Sequence, residues 1–177
     1  MIEAISILAD DVWREAAVEF YARRAAAIRN GRRAPKGMQS ELNRVIKQRF
    51  EDSGWLNASG RFAKERTWVR VTFRHQMSLG SDFLDAARLC AREDFEQAAI
   101  FAAGSEFLRL ISPNDAAALV SFEKLRAAMI DLEGVLDIPL VIGELSPCSK
   151  PPLDIETELH RDRPRDITIP DADMENV

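Results

Sequence analysis

Cysteine and histidine are scarce in this 177-residue chain: it has two of each, at Cys90, Cys148, His75 and His160. The cysteines form no metal-type spacing and nothing like a disulfide framework. No zinc spacing, no glycine-rich phosphate loop and no Ser/His/Asp pattern is present. No apolar run approaches the roughly 18 residues of a membrane-spanning helix, so no membrane partner is expected. The start, Met1-Ile2-Glu3, lacks a basic segment followed by an apolar one. The expectation is a cytoplasmic, reduced protein. Internal repeats are absent as well.

What is there suits a soluble α/β domain. Hydrophobic residues make up 46% and charged residues 30%, ordinary values for a globular chain. The length predicts one domain with a core large enough to need no staples. We place that domain at residues 1–147. Residues 148–177 carry four prolines, eight acids and three arginines, with few aliphatics. They read as an acidic tail, disordered or extended. The net charge of -5 hides an asymmetry: residues 20–75 hold 14 Lys or Arg against 4 Asp or Glu. Such a basic half is either a footprint for phosphate or an acidic partner, or simply a solvated surface.

Apolar residues at helical spacing predict helices over 10–30 and 38–52, joined by the basic loop Gly31-Arg32-Arg33-Ala34-Pro35-Lys36-Gly37. Residues 57–64 read as a loop or hairpin. Strict alternation predicts a strand over 67–74, with Val69, Val71 and Phe73 on one face and Trp68, Arg70, Thr72 and Arg74 on the other. A helix over 82–93 follows, burying some combination of Phe83, Leu84, Ala87, Leu89 and Cys90. The run Ala98-Ala99-Ile100-Phe101-Ala102 suits an interior strand covered on both faces. Residues 107–111 fit a strand or an irregular connection equally. Asn114 is the expected cap of a helix reaching about Leu132, and a buried strand is expected over 138–143. This order implies parallel pairing and an α/β core.

The stretch Trp68-Val69-Arg70-Val71-Thr72-Phe73-Arg74-His75-Gln76, running into a helix, resembles the centre of the PD-(D/E)XK nuclease fold. Within it the likeness is to the BglII/BstYI-type restriction endonucleases. The resemblance spans residues 31–145 and includes Pro35, Gln39, Asn43 and the Gly54-Trp55 junction. It implies a mixed sheet flanked by helices, a nucleic-acid partner, a homodimer, and a defence or mobile-element setting. In that family a strand Glu and an earlier Asp hold Mg²⁺, and a Lys or Gln two residues after the Glu helps position water. Here Arg70 stands at the Glu position, Thr72 at the Lys or Gln position, and the Asp position falls near Gly60-Arg61. The family's metal ligands are therefore missing at their expected places.

Three functions remain open on these residues. A degenerate domain would act by binding nucleic acid through Arg32, Arg33, Lys36, Arg44, Lys47, Arg70, Thr72 and Arg74, with no cofactor. An active endonuclease would use Mg²⁺ and relocated groups, for which Glu65, Asp82, Asp85 and Gln76 are the candidates, with His75 as a possible general base. A protein-interaction module would rely on the acidic tail. For Arg70 the bland alternative is an ion pair with Asp82 or Asp85. For His75 it is a local hydrogen bond.

Overall fold

The computed structural model describes residues 10–58, 61–92 and 94–147. The acidic tail expected over 148–177 lies outside the described residues. A five-stranded mixed sheet, ordered β1-β2-β3-β4-β5, organises the chain. β1 (Leu56–Asn57), β2 (Arg61–Lys64) and β3 (Thr67–Thr72) form an antiparallel meander. β4 (Gln97–Ala103) then pairs parallel to β3, and β5 (Leu140–Leu145) parallel to β4. A parallel step needs a crossover. α3 (Leu79–Ala91) makes the first, and α4 (Ser105–Ile111) with α5 (Phe122–Asp131) makes the second.

Strand alternation decides where the core goes. Ala99, Phe101 and Ala103 of β4 join Val69 and Phe73 in one apolar layer, covered by α1 (Asp10–Arg29), α2 (Gln39–Asp52) and α4. Ala98, Ile100 and Ala102 join Trp68 in the other, covered by α3 and α5. β4 is thus buried on both faces, as its unbroken apolar run predicts. The facing assigned to Val69, Phe73 and Trp68 is the one observed.

Several boundaries differ from the sequence reading, each for a tertiary reason. The strand stops at Thr72, and α3 begins at Leu79 after a short 3₁₀ turn, Gln76–Ser78, rather than at Asp82. Asp82 is therefore a buried first-turn residue of α3 and not its cap. Leu84 is not buried; it is 64% exposed. Residues 107–111 belong to helix α4, because Phe107, Leu108 and Ile111 fall on one buried face. The helix expected from residue 115 starts only at Phe122, capped by Ser121, whose hydroxyl accepts from Lys124 N. Leu119 and Val120 explain the delay: adjacent in sequence, they enter opposite apolar layers, which an extended chain allows and a helical turn does not. The same segment prolongs the sheet, as Val120 N donates to Arg74 O and Leu119 bridges His75. β5 begins after Pro139, whose ring nitrogen has no hydrogen to donate to a ladder.

Candidate functional site

The shortness of β2 sets up the site. Its first residue, Arg61, pairs across the ladder with Arg70 of β3. Past Arg70, β3 has no ladder partner on that side among the described residues. A cleft of about 570 Å³ opens here, lined by Gln39, Asn43, Ile46 and Lys47 of α2, Asn57, Arg61 and Phe62 of the hairpin, and Arg70, Val71, Phe73 and Arg74. Its charged lining is entirely basic.

Two aspartates of α3 hold the arginines from behind. Asp82 is fully buried and takes Arg74 Nη1 at 3.0 Å and Arg70 Nε at 3.4 Å on the same oxygen. Asp85, three residues on and so on the same helix face, pairs with Arg61. Arg70 is 5% exposed. Burial lowers its pKa, Asp82 counteracts, and the charges of Arg74 and Arg61 lower it again. A guanidinium stays charged through such shifts. The three arginines thus form one cluster, pinned at its base by carboxylates and open at the cleft.

The structure brings together only part of the residues named from sequence. Arg70, Arg74 and Lys47 line the cleft. Lys47 also lies 3.7 Å from Glu51, one turn along α2. Thr72 does not reach it: Thr72 is fully buried, and its hydroxyl accepts from Arg74 N at 3.4 Å. Arg44 is directed to α1, where Glu15 and Glu19 bind it, beside an Arg49 pair to Asp11 and Glu15. Arg32 and Arg33 are exposed in the loop before α2, and Lys36 lines a second, adjoining cleft.

The acid–base candidates do not assemble into a group. Glu65 sits in the β2–β3 turn with φ 53°, at the far end of β3 from Arg70, about 10 Å by strand rise. Asp82 and Asp85 are engaged by arginines. His75 Nδ1 accepts from Met77 N at 3.3 Å, and Gln76 N donates to Ala118 O, so both shape the 3₁₀ turn. Among the described residues, no three His, Cys, Asp or Glu are grouped so as to hold a metal ion. Arg61 is the lining residue that sequence reasoning passed over. A signal was present, since the family's Asp position falls near Gly60-Arg61, where the sequence shows only that an acid is missing.

No family model and no curated protein matches the sequence. Solved structures do. A restriction endonuclease, BglII complexed with a DNA 16-mer, superposes with a TM-score of 0.51 at 14% identity, covering 84% of this chain and 80% of that one. Free BglII gives 0.45 at 15% identity, covering 79% and 74%. With its mixed sheet flanked by helices, this chain has a restriction-endonuclease-like fold.

Proposed function

We propose that this chain is a nuclease-like domain that binds nucleic acid without cleaving it. The observation that carries the reading is the cross-strand pair Arg61–Arg70. The resemblance puts the metal-binding Glu at Arg70 and the earlier Asp near Gly60-Arg61, and neither place holds a carboxylate. Two guanidinium groups repel a dication and attract a phosphate, whose oxygens match their donor geometry. The fold's DNA-bound neighbour supports nucleic acid as the ligand class. A defence or mobile-element setting rests on the resemblance alone. Relocated catalysis at Asp82 and Asp85 is disfavoured by the arginines that already occupy both carboxylates.

Fluorescence anisotropy with a labelled duplex, at low and moderate salt, tests this in either Mg²⁺ or EDTA. The same samples run on a gel report cleavage. Binding should weaken steeply with salt, by about 0.9 log unit per log unit of salt for each phosphate contact. It should be indifferent to EDTA and leave the DNA intact. Cut DNA would overturn the proposal in favour of an active enzyme. Absence of both binding and cutting would favour a protein partner instead.

A further inference from the structure

We propose that the arginine cleft takes an unpaired nucleotide, so that its preferred ligand is single-stranded nucleic acid rather than a duplex. This deepens the nucleic-acid reading above and rests on it.

The cleft lies at an open sheet edge, and that decides its lining. Successive side chains of a strand point to opposite faces. Arg70 therefore faces α3 and Asp82, whereas Val71 packs toward the layer that α2 covers. Both line the cleft, because among the described residues β3 has no ladder partner beyond the Arg61–Arg70 pair on that side. The α3 side is cationic, with Arg61 and Arg74 joined to the same two aspartates of that helix. The α2 side is mostly neutral: it offers the amides of Gln39 and Asn43 and the apolar surface of Ile46 and Val71. Its one cation, Lys47, lies 3.7 Å from Glu51. A nucleotide has the same layout, with charge at one end and a ring at the other. Side-chain amides carry both donors and an acceptor, as a base edge does. Apolar side chains take the face of a base that has left its stack. Gln39 is fixed beside the open edge, since its Nε2 donates to Phe73 O at 3.1 Å.

Burial grades the arginines. The side chains of Arg61 and Arg74 are 40% and 42% exposed, and that of Arg70 is 6% exposed. A backbone passing over the rim meets the first two. Only a group that enters between the walls meets Arg70. The phosphates of a duplex lie on a convex surface with the bases paired inside. Bringing one down to Arg70, with its base beside α2, requires that base to unpair and unstack, which is unfavourable. A single strand enters without that cost. The volume of about 570 Å³ falls within the range of about 300–1,000 Å³ typical of sites for one small molecule.

The test uses the full chain, a labelled single strand and the duplex of the same sequence, in EDTA at moderate salt. Anisotropy should show the single strand bound at least about tenfold tighter. Asn43→Ala, at an exposed helix position, should narrow that ratio roughly threefold, the loss of one hydrogen bond. Arg61→Ala should weaken both ligands. A strand of abasic nucleotides keeps the phosphates and removes the bases; it should lose the advantage over the duplex, a readout that needs no variant. A duplex bound as tightly as the single strand would overturn the inference and leave the nucleic-acid function standing. So would an abasic strand bound as tightly as the intact one. A chain that binds neither single strand nor duplex would remove both readings.

Discussion

Arg70 Nε lies 3.4 Å from Asp82 Oδ1, and both side chains are buried between β3 and α3. The second oxygen of Asp82 has no hydrogen-bond partner among the described residues. This carboxylate is therefore a structural counterion to the strand arginines. Removing it strands a buried charge, which costs more than the pair contributes.

Asp82→Ala should accordingly destabilise the protein by about 3–5 kcal/mol in denaturant unfolding. The double variant Asp82→Ala/Arg70→Met should regain much of that loss, because no buried charge is left over. Equal instability of the single and double variants would show that the ion pair is not the cause.

Arg61 and Arg44 are both ion-paired, yet they should behave differently toward DNA. Arg61 lines the cleft, whereas Arg44 ties α2 to α1 through Glu15 and Glu19. Arg61→Ala should reduce the salt slope of binding by about one. Arg44→Ala should leave it unchanged. The reverse order would move the interface to the outer face of α2.

Gly143 of β5 stands beside Phe101 of β4 in the ladder, and a methyl group there would enter the phenyl ring. Gly143→Ala should destabilise by about 1–3 kcal/mol through overpacking. Thermal melts of Gly143→Ala/Phe101→Leu should recover part of it. A Gly143→Ala variant as stable as wild type would mean that the ring has room to move.

Glu123 and Glu144 face one pocket and titrate in opposite directions. Burial pushes the Glu123 carboxyl up, but hydrogen bonds from Ser105 and Ser121 outweigh it, and it sits at about 2. Its folded pKa is thus below the unfolded value of about 4.3. The stability it gives is full above about pH 5 and is lost as pH falls through about 2. The Tm deficit of Ser105→Ala should therefore be present at pH 7 and fade toward pH 2. A deficit independent of pH would exclude the carboxylate. Burial and the charge of Glu123 raise Glu144, so its acid form favours folding and its ionisation opposes it. Glu144→Gln should raise Tm at neutral pH, with the gain vanishing as pH falls through the raised pKa.

Features carried by one segment's own periodicity were legible in the sequence. The alternation of 67–74 gave the two faces of β3, and the apolar run at 98–102 gave a doubly buried strand. The Arg70–Asp82 pair was readable as one of two alternatives, because a strand leading into a helix brings their residues close. What stayed hidden depends on distant partners. Residues 112–115 look like a helix entry, yet 113–118 form only turns, and Leu119 and Val120 are held extended beside His75 and Arg74. Arg44 looks available for a ligand until α1 supplies its acids. Arg61 gains meaning only from its ladder partner.

The shared Asp82 also fixes an electrostatic balance. Arg61, Arg70 and Arg74 share two aspartates, so the cluster keeps one positive charge in excess. A single phosphodiester, itself singly charged, brings the pocket to electroneutrality without a counterion. A divalent metal would instead leave it threefold positive. The cluster therefore discriminates by valence: a singly charged anion balances it as it stands, and a divalent cation only adds to its excess.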